Sequence, residues 1–217
     1  MKITVIHTTS ATLASVPDLI RREIPDAEVF NILDDSILPD MCSSTNVDWV
    51  RKRWLGYVDV AVKNGADAVL SACSTVGEFA EEAERIFPAP VCRIDEAMAR
   101  EAVSRGGTVC VMATLQSTLG PTVRLLRRIA EEQKSGCRIL ERLVDGAYDA
   151  LMAGNRAEHD KRIMDTIAAL DEPVTSYVLA QASMAGAIAG AGEELRSKVL
   201  TSPLSGVRML RDKLTKK

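Results

Sequence analysis

Aromatic residues are scarce in this sequence, at 4% of 217 residues, and positive charge is not in excess. Stacking on bases or sugar rings depends on aromatic side chains, so it is not expected to dominate a binding site. The formal net charge is -3, whereas nucleic-acid binding requires a basic face. Arg124, Arg127 and Arg128 have helical spacing beside two glutamates, which is typical of a solvated helix face. No nucleic-acid partner is therefore expected.

Long apolar runs are also missing. No window approaches the roughly 18 apolar residues that a membrane span requires. The opening MKITVIH leads directly into a strand-like segment, without the apolar stretch and cleavage site of a signal peptide. The contents of hydrophobic (47%) and charged (26%) residues are ordinary for a globular protein. We expect a cytoplasmic protein with no membrane partner.

Motifs for common ligands are lacking as well. Neither Gly-x-Gly-x-x-Gly nor Gly-x-x-x-x-Gly-Lys-Ser/Thr occurs, so nothing supports a dinucleotide or a nucleoside triphosphate. A Gly-x-Ser-x-Gly nucleophile elbow is absent too. The five cysteines form no Cys-x-x-Cys pair, and there are only two histidines. These counts argue against a zinc site and, in a reducing compartment, against a disulfide framework.

Short apolar runs alternate with helix-period segments along the whole chain. The pattern predicts strands at 3–6, 28–32, 68–71, 91–94, 108–113, 137–143, 176–180 and 199–201. It predicts helices at 11–23, 47–64, 76–86, 95–105, 118–134, 145–153, 157–170, 185–196 and 203–214. Strands that alternate with helices indicate an α/β fold with parallel sheets covered on both faces.

Four of the predicted strands precede residue 96 and four follow it, which indicates two half-size α/β lobes. The last strand and helix are expected to return to the first lobe. The predicted domains are therefore 1–95 plus 198–217, and 96–197. The Ala/Gly-rich stretch 182–192 permits close packing within a subunit or between subunits of a homo-oligomer. Ligands of such folds bind outside the carboxyl ends of the strands, so the loops there carry the candidate site.

Small polar residues fill those loops. The candidate substrate-binding residues are Thr8, Thr9, Ser10, Ser74, Thr75, Thr114, Ser117, Thr118 and Ser183. Hydroxyl groups and backbone amides at helix N-termini suit a carboxylate, because the first helical N–H groups lack partners and the dipole favours an anion. Each residue could instead be a plain N-cap. Asp34 or Asp35 could pair with a substrate amino group, or could cap a turn.

Cys73 stands apart from the other four cysteines by its position. It follows the apolar run 68–72 and precedes a predicted helix. A thiol at a helix N-terminus is favoured as the thiolate, which can act as a base toward a carbon acid or as a nucleophile. From spacing alone, a buried structural thiol is the alternative.

The adjacent pair His159 and Asp160 lies near the start of a predicted helix. Neighbouring helical residues do not face one another, so a direct couple between these side chains is not expected. A structural or capping role is the favoured interpretation.

Three loops together resemble those of the aspartate/glutamate/hydantoin racemase superfamily: SACST at 71–75, ATLQST at 113–118 and LAQASM at 179–184. The opening IHTT at 6–9 and the tail TSP at 201–203 extend the resemblance over essentially the whole chain. It implies two pseudo-symmetric, Rossmann-like lobes with a substrate cleft between them. It also implies a small-molecule carboxylate substrate and no cofactor.

Racemases of this family use two cysteines on opposite faces of the substrate. The first of them corresponds to Cys73, whereas the second position holds Gln181 in this sequence. An amide cannot relay a proton at neutral pH. It can donate a hydrogen bond to a developing enolate oxygen. Ser183 is the only neighbour with a hydroxyl, and it would be a poor acid or base without activation.

Three functions stay open. The first is a cofactor-independent racemase or isomerase acting at the carbon next to a carboxylate or carbonyl of an amino acid, hydantoin or related acid, with Cys73 as general base and acid. The second is a one-cysteine decarboxylase or cis–trans isomerase of a small (di)acid, with Gln181 in the oxyanion site. The third is a non-catalytic binder of small anions.

Overall fold

The computed structural model describes residues 1–43 and 46–215, so the last two residues of the predicted first lobe lie outside the described part. Its strands are β1 (Lys2–His7), β2 (Glu28–Leu33), β3 (Ala68–Ser71), β4 (Val91–Arg93), β5 (Thr108–Ala113), β6 (Arg138–Leu143), β7 (Ser176–Leu179) and β8 (Val199–Thr201). They form two four-stranded parallel sheets. The predicted α/β fold class is confirmed.

Ten α-helices connect these strands in the described ranges. They are α1 (Ser15–Glu23), α2 (Ile37–Ser43), α3 (Val47–Lys63), α4 (Gly77–Ile86), α5 (Glu96–Arg105), α6 (Gln116–Glu132), α7 (Ala147–Met152), α8 (Arg156–Ala168), α9 (Glu193–Lys198) and α10 (Ser202–Thr215). Short 3-10 turns cover Ser10–Thr12, Ser74–Val76 and Ala182–Ile188. Asn46 and Asn155 begin α3 and α8, because each side chain accepts a hydrogen bond from a backbone N–H of the first turn. No helix among the described residues is long and apolar enough to span a membrane.

The first sheet has the strand order β2-β1-β3-β4. Successive residues of a strand point to opposite faces, which divides the core of this unit in two. On one face Val5 and Leu70 pack with α1 and α10. On the other face Ile6 and Val69 pack with α3 and α4, around the fully buried Trp54. Burial on both faces explains why β1 and β3 are almost continuously apolar.

The second sheet has the strand order β6-β5-β7-β8. Val109 and Val111 of β5 face α5 and α6 in one cluster. Cys110 and Met112, which alternate with them, pack with α8 in another. The two central strands β5 and β7 are therefore covered on both faces, as β1 and β3 are in the first unit.

The chain divides into two compact units, residues 1–97 with residues from 203 onward, and residues 98–202. This differs from the predicted boundary at 198, because β8 pairs with β7 through Tyr177 and Val199 and so belongs to the second sheet. Helix α10 alone returns to the first unit. Gly206 permits this return, since a Cβ there would lie 2.1 Å from the carbonyl oxygen of Ile94. A three-residue strand carries no pattern that tells which sheet it joins.

Three other elements differ from the sequence prediction. The helix predicted at 11–23 begins only at Ser15, after the separate 3-10 turn Ser10–Thr12. Helix α2 was not predicted, because its seven residues include Pro39 and give too short a periodic pattern. The predicted helix at 185–196 is instead a 3-10 turn at Ala182–Ile188 followed by α9. Three glycines within this stretch lower its helix propensity, which accounts for the break.

Candidate active site

Cys73 follows β3 by two residues and lies at the carboxyl end of the first sheet. It is the N-cap of the 3-10 turn Ser74–Val76, which continues directly into α4. Its backbone is extended (φ -141°, ψ 122°), and its half-buried side chain packs at the edge of the core beneath α3 and α4. The thiol therefore lies at the positive end of a ten-residue helix, where negative charge is stabilised.

The other described cysteines lie in different surroundings. Cys92 and Cys110 are buried inside β4 and β5, and burial raises the pKa of each thiol to about 11. Cys137 is half-buried and directly precedes β6, so it lies at the amino end of the second sheet. Cys42 is exposed on the short helix α2. Cys73 alone among them combines partial exposure with the carboxyl end of a central strand.

The loop after β1 holds three predicted substrate-binding residues. Ile6 pairs with Ser71, so Thr8 and Cys73, each two residues further along, follow the two central strands at the same level. The Thr8 hydroxyl is buried and has no hydrogen-bond partner among the described residues. Thr9 is an N-cap, since its hydroxyl accepts from the N–H of Ala11. Ser10 is exposed.

The buried His7 at the end of β1 makes hydrogen bonds that stabilise this loop. Nε2 of His7 lies 3.0 Å from Oδ1 of Asn31, and Nδ1 lies 2.7 Å from the hydroxyl of Thr12. Because an amide oxygen only accepts, Nε2 carries the proton and Nδ1 accepts from Thr12. Burial lowers the pKa of His7, and the bond to Asn31 opposes that shift only in part. The imidazole is therefore neutral at pH 7 and fixes the path of the chain that carries Thr8.

Asp34 is engaged within the first unit. Oδ2 pairs with Nε of Arg53 at 3.0 Å and accepts from the Tyr57 hydroxyl at 2.7 Å, and Oδ1 accepts from the Ser36 hydroxyl at 2.6 Å. Burial by itself raises the pKa of Asp34, but the hydrogen bonds and the Arg53 charge outweigh burial and lower it. Of the two aspartates considered for a substrate amino group, only Asp35 is exposed.

Ser74 and Thr75, which follow Cys73, are both buried. The Ser74 hydroxyl donates to the carboxylate of Asp95. Asp95 in turn forms a bidentate ion pair with Arg93, with Nε–Oδ1 at 2.7 Å and Nη2–Oδ2 at 3.0 Å. A residue predicted to bind substrate thus has its hydroxyl bound by a buried carboxylate, a link that the sequence analysis missed.

Gln181 holds the equivalent position in the second unit. It lies two residues beyond β7, as the extended N-cap of the turn Ala182–Ile188. Its Oε1 accepts two hydrogen bonds from Thr114 at the end of β5, from the backbone N–H at 2.6 Å and from the hydroxyl at 2.9 Å. This double contact fixes the orientation of the amide and leaves its NH₂ group as the donor end. Thr114, predicted to bind substrate, uses both of its donors on Gln181.

Ser117 and Thr118 lie in the first turn of α6, which begins at Gln116. The N-cap position holds Leu115, whose side chain has no hydrogen-bonding group. Ser117 is half-buried and Thr118 is buried. Neither is therefore the N-cap of this helix, although capping was the alternative interpretation of both residues.

The expectation that His159 and Asp160 do not couple is wrong. Nδ1 of the fully buried His159 lies 2.6 Å from Oδ1 of Asp160. Adjacent side chains diverge by about 100° around a helix, but Nδ1 is close to the backbone and a short carboxylate can turn to meet it. Nε2 has no hydrogen-bond partner within the part of the chain that the structure describes. Arg156 binds Asp160 and also donates to the backbone oxygen of Ser183 at 2.7 Å, so this group holds the segment after Gln181.

The chain is similar to a known family of proteins over nearly its whole length. The family model for Asp/Glu/Hydantoin racemase matches residues 3–210. The chain therefore belongs to the Asp/Glu/hydantoin racemase family. Membership supports a cofactor-independent, racemase-type function and thus an enzyme of the isomerase class. No curated protein matches the chain significantly.

Solved structures of racemases share the fold. Glutamate racemase isoform RacE1 from Bacillus anthracis is 15% identical with a TM-score of 0.79, covering 99% of this chain and 81% of that one. Allantoin racemase from Klebsiella pneumoniae is 17% identical with a TM-score of 0.63, covering 100% and 88%. Aspartate racemase from Picrophilus torridus is 13% identical with a TM-score of 0.74, covering 99% and 94%. At these identities the likeness shows the fold alone.

Proposed function

We propose that Cys73 moves a proton at the carbon next to a carboxylate or carbonyl of a small substrate. The observation that carries the proposal is the position of the thiol: half-buried, at the carboxyl end of a central strand, and at the N-terminus of α4. Both Cys92 and Cys110 are buried inside strands as neutral thiols and are not candidates. The substrate class is an amino acid, a hydantoin or a related acid.

The chemistry follows from the groups around the two loops. A Cys73 thiolate takes the proton from the α-carbon, and the electron pair moves onto the carbonyl or carboxylate oxygen as an enolate. Hydrogen-bond donors aimed at that oxygen lower the barrier. The buried hydroxyl of Thr8, which follows β1 at the level at which Cys73 follows β3, is the donor we assign to this task. Return of a proton to the carbon completes the turnover.

A second candidate function is a one-cysteine decarboxylase or cis–trans isomerase of a small (di)acid. The contacts of Gln181 favour it, because its oxygen is bound twice by Thr114. Its NH₂ group can donate a hydrogen bond but cannot act as an acid or a base at neutral pH. Racemisation needs proton transfer on both faces of the carbon. The Cys73 thiol supplies transfer on one face only, and an amide cannot supply the other, so a second acid would have to come from another residue or from water.

The substrate is proposed to be a small carboxylate. Hydroxyl groups and helix N-termini at the carboxyl ends of both sheets support an anion. A glutamate racemase structure from Francisella tularensis, with which this chain shares the fold, contains D-glutamate. In this chain Asp34 is neutralised by Arg53, so it offers no free carboxylate to a substrate ammonium group. Hydantoins and acids without an amino group therefore belong in the test beside glutamate and aspartate.

Proton exchange in heavy water tests the proposal. The protein is incubated with each enantiomer of glutamate and aspartate, with hydantoins including allantoin, and with malonates, and deuterium at the α-carbon is measured by NMR. Chiral chromatography then shows whether configuration inverts. Exchange with inversion supports a racemase, whereas exchange with retention, or release of carbon dioxide, supports the one-cysteine candidate. Binding without exchange or turnover would identify a non-catalytic binder and contradict the proposal.

A further inference from the structure

A buried charge cluster lies directly behind the turn that carries Cys73. Arg93, at the end of β4, has a side chain that is 1% exposed, and that of Asp95 is 0% exposed. The two form the bidentate pair at 2.7 and 3.0 Å, and Nη1 of Arg93 binds Glu81 of α4. Two parallel hydrogen bonds between a planar guanidinium and a carboxylate fix the orientation of both groups.

The charges in this cluster compensate one another. Burial by itself raises the pKa of Asp95, but the Arg93 charge and the hydrogen bonds from Arg93 and Ser74 outweigh it and hold the pKa below its usual range. The carboxylates beside Arg93 keep the guanidinium charged although it is buried. Both groups are therefore charged in the folded protein, and their contacts with each other compensate for the cost of burying two charges.

The guanidinium lies against the first residue of α4. A Cβ on Gly77 would be 2.4 Å from Cζ of Arg93, so only glycine permits this approach. Gly77 has ordinary helical backbone angles (φ -59°), so close packing and not conformational freedom explains the glycine. The turn Ser74–Val76, with Cys73 as its N-cap, ends at this contact.

Ser74 ties the other end of the same turn to the cluster, because its hydroxyl donates to Asp95. We infer that Arg93 and Asp95 are positioning residues that set the orientation of the Cys73 thiol through Ser74 and Gly77. The inference rests on the proposed function of Cys73. It assigns Ser74 to the support of the thiol and not to contact with substrate.

The test uses the rate at which iodoacetamide alkylates Cys73 in the folded, substrate-free protein, followed by peptide mapping. Ser74→Ala removes the hydroxyl and leaves the ion pair intact, whereas Ser74→Thr keeps a hydroxyl. We expect Ser74→Ala to slow alkylation about fivefold, the effect of one lost hydrogen bond, and Ser74→Thr to restore most of the rate. Ile20→Val is the control for stability. It removes one methylene group from the core on the sheet face opposite Cys73, and should lower the melting temperature with little change in the rate.

Each outcome separates the inference from the function on which it rests. A wild-type Cys73 that reacts no faster than the half-buried Cys137 of the same sample would contradict the proposed reactive thiol. A fast wild-type Cys73 with an unchanged rate in Ser74→Ala would overturn the positioning role alone. Ser74→Gly, which also lacks the hydroxyl, provides a second measurement if the alanine variant does not fold. A rate loss in Ile20→Val equal to that in Ser74→Ala would show a general effect of lower stability and would overturn the inference.

Discussion

Gln181 and Thr114 are joined by two hydrogen bonds that end on the same oxygen, Oε1 of the glutamine. The residues are 67 positions apart in the chain and follow the neighbouring central strands β7 and β5. Because both hydrogen bonds end on Oε1, the amide oxygen is already engaged, whereas the NH₂ group of Gln181 points away from Thr114 as a hydrogen-bond donor. We propose that this orientation suits the NH₂ group of Gln181 to stabilise an oxyanion. An amide in any orientation cannot relay a proton at neutral pH.

Gln181→Glu tests that orientation. A carboxylate keeps an acceptor for both donors of Thr114 but has no NH₂ group, so the local structure is retained and the donor is lost. We expect kcat to fall by about 10²–10³-fold, the usual cost of removing one oxyanion donor. The measurement is α-proton exchange in whichever of the tested amino acids, hydantoins and malonates proves to be the substrate. Thr114→Ser, which preserves both hydrogen bonds to Gln181, is the matched control and should stay close to wild type. Equal activity of Gln181→Glu and wild type would remove Gln181 from the mechanism.

His7 makes stability depend on pH. The unfolded chain takes up the His7 proton near the ordinary pKa of 6.5, whereas burial lowers the pKa in the folded state. Between these values the unfolded state binds more protons, so the free energy of unfolding falls as the pH drops below 6.5. Urea denaturation across this range measures the slope. His7→Gln, which cannot titrate, is expected to flatten it, and an identical slope in both proteins would show that His7 is not its source.

Two glycines that lie against arginines should respond differently to alanine. Gly77→Ala drives a Cβ into the buried Arg93, which two carboxylates hold in place, and overpacking of this kind costs about 1–3 kcal/mol of unfolding free energy. Gly186→Ala meets Arg156, whose side chain is 47% exposed and can move aside. We expect a much smaller loss for Gly186→Ala, measured by urea denaturation. A larger loss of unfolding free energy for Gly186→Ala than for Gly77→Ala would mean that the Arg93 side chain can move aside at little cost.

The fold could be predicted largely from local pattern. The strands β3, β5 and β8 have the predicted bounds. For the central strands β3 and β5, an apolar run flanked by polar residues marks a strand that is covered on both faces. The local sequence pattern could not predict hydrogen bonds between side chains that are far apart in the chain. The sequence placed Ser74 at the site but not its bond to Asp95, and Gln181 but not its bonds to Thr114. These contacts depend on which loops the sheet order brings together.

The same limit explains the errors at the edges of elements. The sheet that β8 joins is decided by backbone pairing with β7, which leaves no trace in three residues. The His159–Asp160 couple was dismissed on a rule for side chains that point outward from a helix, whereas His159 is fully buried and Asp160 turns toward it. Tertiary packing decided both cases against local expectation.

Comparison of Cys73→Ala with Cys137→Ala tests whether Cys73 carries the proton. Both variants lose one half-buried thiol, but only the first loses the thiol at the carboxyl end of β3. The measurement is the rate, in heavy water, of deuterium exchange at the α-carbon of whichever tested compound proves to be the substrate. We expect the exchange rate to fall by about 10²–10⁴-fold in Cys73→Ala, as for loss of a general base, and to stay unchanged in Cys137→Ala. Exchange at the wild-type rate in Cys73→Ala would show that Cys73 does not carry the proton.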